Sequence, residues 1–426
     1  MYVSDNKPCE DKPLILSRDK IPFGHWGIIT EEAFARLVET EGFDLAVRKV
    51  FQKRWDPITT NHIDLTKGTE THLPDKFAGE YTLISALRDQ RPAEHKGVVE
   101  VIKTITPHDT KKEPPKVFPE IIAGKDYSIV ISKDEVRNHD PFSDQPRLET
   151  LTNCTVATLI NRFPSYGRVI DEVVIRKVRP LIEKELTRIS KGINLVTFPT
   201  QYYERIEDMP LETLSKMFSS QAVAMQNIER HANRDGIRYM PFDLFFNIGP
   251  KVGGSLKWIH SQTYVDLNQD GHGRTMEEIL QSFEFQKRHG GCFFCNLKKS
   301  NIADFFLYEN ESVVLYVNPS PQTNFETIFY FKQHMPDILQ FPKEQFLAIA
   351  DVLVRDFKAL NGISAVDADR NILIYQRPLG YNSQFHVFGK VVPYEIKGGK
   401  ERIDNARVAQ YNPQNVTDYL QKTGAF

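Results

Sequence analysis

At 426 residues the chain is too long for one ordinary hydrophobic core, so two or three units of domain size are expected. A net charge of −2, with 40% hydrophobic and 26% charged residues, excludes a global basic field that would hold nucleic acid and leaves a globular enzyme or binding protein. No stretch approaches the roughly 18 apolar residues of a membrane helix, and the N-terminus is too charged and proline-broken for a secretory signal, so the expected location is cytoplasmic, with no membrane partner.

The first 120 residues form an N-terminal extension whose role the sequence does not state. Within it, residues 30–55 read as one or two amphipathic helices broken near Gly42. Residues 90–119 mix prolines with charge and read as a linker carrying one short strand. Beyond residue 120 the pattern sharpens. DYSIVIS, VIDEVVIRK, INLVTFPT and PFDLFFNIG are short β-branched and aromatic runs, hence strand candidates, and residues 211–232 show helical spacing with Gly236 just beyond.

The second half repeats this order: DFFLYENESVVLYV, FETIFYFKQ, a helix over KEQFLAIADVLVRDFKALNG, then NILIYQ and SQFHVFGKVVPYE. Residues 152–165 fall on 309–322 at a constant offset, matching Asn161 to Asn318 and Pro164 to Pro321. MPLETL (209–214) likewise pairs with FPKEQF (341–346), each opening a long helix. Internal duplication of this kind predicts an α+β fold with two tandem copies of one unit, each an antiparallel sheet with packed helices. The units are placed at 121–285 and 286–426, after the extension over 1–120.

The segment from Phe245 to Leu267 carries the chemistry. Gly249, Gly253 and Gly254 suit a loop that turns backbone N–H groups toward an anion. An alternating strand would then place Leu256, Trp258, His260, Gln262 and Tyr264 on one face, with an imidazole beside an amide at a phosphorus atom. A histidine on an apolar strand also serves as a core residue, and a glycine pair as a plain turn; spacing by itself leaves both readings open. Two of the four cysteines sit as CFFC, at Cys292 and Cys295, with Cys9 and Cys154 elsewhere, far from a disulfide framework. That pair reads equally as an apolar turn, a redox pair or half of a metal site.

Phe245, Asn247, Gly249, Gly253, Ser255, Leu256, His260, Ser261 and Gln262 resemble, without a gap, the active-site signature of the galactose-1-phosphate uridylyltransferase branch of the histidine-triad superfamily. NRFP at 161–164 and DEVVI at 171–175 resemble two further motifs of that branch, and the resemblance spans about residues 125–410. It implies that His260 attacks the α-phosphorus of a nucleotide or nucleotide-sugar substrate, giving a covalent nucleotidyl-histidine. It also implies that Gln262 stabilises the charged phosphoryl group, that Ser255 and the backbone at Gly254 hold the leaving phosphates, and that Asn161, Arg162 and Asn247 contact the donor. A homodimer is compatible with it. In the second unit, the resemblance makes Cys292, Cys295, His334 and His386 the ligands of one structural zinc.

The chain departs from the pattern where Trp258 and Tyr202 stand at metal-ligand positions of the first unit, which predicts that this unit has lost its metal. Phe388 stands where a second nucleophile would be, so the second unit is expected to complete the fold and the acceptor pocket. After the last zinc histidine the tail is closer to nucleotide-sugar phosphorylases, with Asp404 near the place of their glutamate. Two alternatives accompany nucleotidyl transfer to a sugar 1-phosphate. One is a phosphorylase or hydrolase of dinucleoside polyphosphates or nucleotide sugars. The other is a non-catalytic zinc-containing nucleotide-binding protein.

Overall fold

A computed structural model describes residues 14–63, 76–88, 116–132, 140–298, 302–381 and 383–426. Cys9 and residues 90–115 of the linker with its expected strand lie outside the described residues, as does the side chain of Asp404. Ten strands build one antiparallel sheet: β1 (Val130–Ser132), β2 (Val156–Ile160), β3 (Gly192–Pro199), β4 (Phe242–Ile248), β5 (Ser261–Asp266), β6 (Phe306–Glu309), β7 (Val313–Val317), β8 (Thr327–Phe331), β9 (Arg370–Tyr375) and β10 (Phe388–Pro393). The helices that position the site are α1 (Val117–Ile122), α2 (Leu211–Arg234), α3 (Arg274–His289) and α4 (Lys343–Asn361).

Across the sheet the order is β6-β7-β8-β10-β9-β4-β5-β3-β2-β1. Read inward from each edge, both halves give first, second, third, fifth and fourth strand, which is the duplication expected from sequence. The halves join where β4 pairs with β9, from Leu244 opposite Ile374 to Ile248 opposite Arg370. Each half contributes one long helix directly after a proline, Pro210 before α2 and Pro342 before α4. Proline is tolerated there because the first helical N–H groups lack intrahelical acceptors. Leu214, Met217, Gln221, Met225 and Ile228 of α2 are buried, as are Phe346, Ile349, Leu353, Phe357 and Leu360 of α4. That spacing makes one stripe per helix, and both stripes enter a single core with the sheet.

One strand candidate is a helix. In VIDEVVIRK only Val169–Ile170 is extended, and Glu172–Ile182 is helical. Val174, Ile175, Val178 and Ile182 share its inner face, so burial at helical spacing overrides the strand preference of β-branched residues.

The N-terminal residues interlock with the first unit. Glu31–Glu41 and Phe43–Lys49 are two helices separated by Gly42 at φ 85°, as the glycine break predicts. They pack on Glu172–Ile182, while Gln52–Trp55 pairs with Thr187–Ile189. The boundary placed at 285 falls inside α3. Lys53 is fully buried and reaches Asp266 Oδ2 and Asp270 Oδ1, each at 2.7 Å. Truncating it would strand two carboxylates in a dry interior, so Lys53→Ala is expected to cost about 3–5 kcal/mol in denaturant unfolding. A change below 1 kcal/mol would contradict this reading of the N-terminal segment as a built-in part of the first unit. No described helix is long and apolar enough to cross a membrane.

Candidate active site and metal centre

Pairing register fixes how the two units correspond. Leu159, Val196 and Gln262 lie side by side on β2, β3 and β5, and Tyr316, Ile328 and Lys390 do so on β7, β8 and β10. Asn161 and Asn318 each follow two residues later, and each accepts a backbone N–H in the same turn, Phe163 at 2.8 Å and Ser320 at 3.0 Å. Counting from this row, His260 corresponds to Phe388, Trp258 to His386 and Tyr202 to His334.

His260 stands just before β5, only 6% exposed, and borders a cavity of about 310 Å³. Its Nδ1 lies 2.8 Å from the Trp258 carbonyl, which can only accept, so Nδ1 carries the proton and the ring's lone pair is on Nε2. Gln262 lines the same cavity from β5, whereas Ser261 and Thr263 turn to the opposite face and bond to Gln221 of α2. The expected alternation therefore holds along β5. It fails before it: residues 256–260 are not a strand but a loop, held by the Ile259 N–H on the Tyr203 carbonyl at 2.8 Å and Trp258 Nε1 on the Pro199 carbonyl at 2.9 Å.

Asn161, Arg162 and Ser255 line the cavity with His260 and Gln262. Arg162 also pairs with Asp126 at 2.8 Å. Asn247 does not line it: this side chain accepts from Asn371 at 2.7 Å and borders a neighbouring cavity. Gly254 likewise departs from the expected phosphate cradle. Its N–H donates to the Gly249 carbonyl at 2.9 Å, and that of Gly253 donates to the Pro250 carbonyl at 3.2 Å. Gly254 is required by crowding, since a Cβ there would sit 2.6 Å from the Gly249 carbonyl oxygen.

Sequence reasoning missed the far wall, of which it assigned only 116–119 to a linker and 126–128 to a strand. It comprises Trp26 and the segment from Lys116 to Ser128, including α1. Phe118 of α1 stacks on Phe198 at 4.2 Å and meets the His260 ring edge-on at 5.6 Å. The only available signal was the apolar run around Phe118 and Ile121, too short to separate from a turn.

At the register positions of a metal site in the first unit, the Tyr202 and Trp258 rings meet edge-on at 5.2 Å. Their counterparts His334 and His386 do the same at 4.8 Å. Only the latter pair joins thiols. Cys292, Cys295, His334 and His386 bring one ligand atom each to within 4.8 Å of one another, and no other such group of three or more occurs among the described residues. Cys292 Sγ lies 3.2 Å from His386 Nδ1, and Cys295 Sγ lies 3.3 Å from His334 Nδ1. Tetrahedral metal–sulfur and metal–nitrogen bonds put such atoms about 3.5 Å apart, so the set fits one ion. His386 Nε2 donates to the Phe331 carbonyl at 2.7 Å, which turns the Nδ1 lone pair to the cluster. Burial lowers His386 to about 4 and, together with Cys292, raises the Cys295 thiol to about 11. A neutral imidazole is ready to ligate, and a cation would supply the charge that a thiolate needs.

No protein-family model matches the chain. A galactose-1-phosphate uridylyltransferase of Thermotoga maritima (strain MSB8) is 22% identical over 242 residues, 57% of this chain and 73% of that protein. A uridylyltransferase structure superimposes with TM-score 0.55 at 21% identity, covering 65% of this chain and 86% of its own. An ADP-glucose phosphorylase from Arabidopsis thaliana, solved with bound ADP-glucose, superimposes with TM-score 0.56 at 16% identity, covering 80% and 96%. The chain therefore has the α+β fold of these uridylyltransferase and ADP-glucose phosphorylase structures, and its sequence is similar to that of a galactose-1-phosphate uridylyltransferase.

Proposed function

We propose that the protein is a nucleotidyltransferase that moves a nucleoside monophosphate, UMP or AMP, from a nucleotide sugar to a sugar 1-phosphate or to phosphate, through a covalent intermediate on His260. One observation carries this reading: His260 borders a cavity with its proton held on Nδ1 by the Trp258 carbonyl, which leaves the lone pair of the neutral ring on Nε2. Nε2 attacks the α-phosphorus, the Nε2–P bond forms, and the bond to the bridging oxygen breaks, releasing the sugar 1-phosphate. An acceptor phosphate oxygen then attacks the same phosphorus, and the Nε2–P bond breaks.

Asn161, Arg162 and Ser255 would bind the donor from the cavity wall, whereas Asn247 and the Gly254 amide hold the loop. Gln262 would donate to a non-bridging oxygen as charge builds on the phosphoryl group. Gln262→Ala is expected to lower kcat by about 10²–10³ with little change in KM; equal losses in binding would mean that Gln262 only holds substrate.

The test is incubation with UDP- or ADP-sugar labelled at the α-phosphorus, followed by denaturation. Acid-labile label on the chain supports the reading, and its absence with both donors rejects it. A phosphorylase is the second reading, favoured by the breadth of the likeness to ADP-glucose phosphorylase. Product release that requires inorganic phosphate rather than a sugar 1-phosphate would select it. For Cys292, Cys295, His334 and His386 we propose one zinc, held by two thiolates and two imidazoles in a closed structural site that cross-links the segment after α3 to β8 and β10. In this reading residues 1–120 extend the catalytic unit of 121–285, and 286–426 is its scaffold.

A further inference from the structure

The two units make the same hydrogen bonds around Trp258 and its counterpart His386, although only the second brings thiols to that place. By the register of β3 with β5 and of β8 with β10, Pro199 corresponds to Phe331 and Tyr203 to Met335. In the second unit His386 Nε2 donates to the Phe331 carbonyl at 2.7 Å, and the Val387 N–H donates to the Met335 carbonyl at 2.8 Å. In the first unit Trp258 Nε1 donates to the Pro199 carbonyl at 2.9 Å, and the Ile259 N–H donates to the Tyr203 carbonyl at 2.8 Å. The indole N–H therefore keeps the bond that turns His386 toward its cluster, and the loop keeps its path.

What differs is the rest of the ring. An indole nitrogen donates and offers no lone pair, so Trp258 cannot ligate an ion. Its ring is packed instead: Tyr202 meets it edge-on at 5.2 Å and Phe118 at 5.7 Å. Tyr202 donates to Glu204 Oε2 at 3.1 Å, and Glu204 Oε1 pairs with Lys257 at 3.2 Å, which leads back to the residue before Trp258. A residue that only filled space would need the ring and not the N–H on the equivalent carbonyl. The carbonyl of the residue so anchored is the one that His260 Nδ1 meets at 2.8 Å. In the second unit Phe388 stands in place of His260 and has no ring nitrogen, so only in the first unit does the anchor bear on a proton.

We propose that Trp258 is a positioning residue: its indole, bonded to Pro199 and packed on Tyr202 and Phe118, replaces metal ligation as the anchor of this loop and so holds the carbonyl that keeps the proton of His260 on Nδ1. A histidine side chain in water favours the proton on Nε2, so the tautomer depends on the Trp258 carbonyl staying in place. The claim about the tautomer stands on the loop alone. Its consequence for catalysis rests on the reading of His260 as the nucleophile.

The test is nitrogen NMR of the full chain carrying isotope-labelled histidine, in the wild type, Trp258→Ala and Trp258→Phe, with kcat and KM measured for a nucleotide sugar. The His260 signals are those lost in His260→Asn. The wild type is expected to show His260 protonated on Nδ1. Trp258→Ala is expected to show the Nε2-protonated form as the major one, with kcat lower by about tenfold or more and KM nearly unchanged. Trp258→Phe, which keeps a ring and loses the N–H, should fall between. A role in packing alone would lower Tm and leave the tautomer where it is; that result in Trp258→Ala overturns the proposal, as does a wild type with the His260 proton on Nε2. A moved tautomer with unchanged kcat supports the proposal and refutes the nucleophile reading instead. Should Trp258→Ala fail to fold, as judged by circular dichroism, the tautomer in Trp258→Phe decides.

Discussion

His260→Asn is expected to abolish covalent labelling by an α-phosphorus-labelled nucleotide sugar and to lower kcat for transfer by about 10⁴-fold or more. Loss of a nucleophile removes the chemical step itself, leaving only what binding and electrostatics supply to a direct displacement. Asparagine keeps an N–H donor, but its amide nitrogen lone pair is delocalised, so no nitrogen nucleophile is left for phosphorus. The fold should persist, because the loop is held by groups that the substitution leaves in place. These are the Ile259 N–H on the Tyr203 carbonyl and Trp258 Nε1 on the Pro199 carbonyl. Measuring label retention, kcat and melting temperature on one preparation separates the outcomes. Label retained at wild-type level in a folded variant would refute the assignment of His260.

Cys292→Ser is expected to release the metal and to lower stability by on the order of 5 kcal/mol, seen as a fall in Tm of roughly 5 °C. Ions bound only by the folded state contribute their binding free energy to folding. Serine is a poor substitute for a thiolate on a soft-ligand ion, and its loss leaves His386 buried with its Nδ1 aimed at an empty centre. Metal analysis of the purified wild type should give near one zinc per chain, and a chelator should reproduce the Tm shift of the variant. Wild-type protein carrying no metal, with Cys292→Ser melting at the same temperature, would refute the site. Cys154, whose thiol is far from the cluster in sequence and absent from it in space, serves as the control substitution.

The duplication was legible in the chain because period and punctuation repeat. Pro210 and Pro342 open equivalent helices, Asn161 and Asn318 make equivalent turns, and the apolar stripes of α2 and α4 recur at 3.6-residue spacing. Those are local determinants, set by a residue and its near neighbours. His260, Gln262, Ser255, Asn161 and Arg162 were legible as a group through ordered motifs, and the structure brings them to one cavity. Cys292, Cys295, His334 and His386 were legible as a group through the family resemblance, and the structure brings their ligand atoms within 4.8 Å of one another.

Other features belong to the tertiary structure alone. Glu172–Ile182 is rich in strand-forming residues, yet a helix buries four of them against the N-terminal helices. The destination of each loop N–H was hidden too: the Gly254 amide goes to Gly249 rather than to a ligand. The wall formed by Trp26 and α1 joins His260 across more than a hundred residues of sequence. The Trp258 N–H, too, meets the Pro199 carbonyl only once the loop before β5 closes on the end of β3. Periodicity and motif order reside in the chain and can be read from it. Which polar groups find partners is settled only when distant segments close on one another, because burial converts an ordinary side chain into one that must be satisfied.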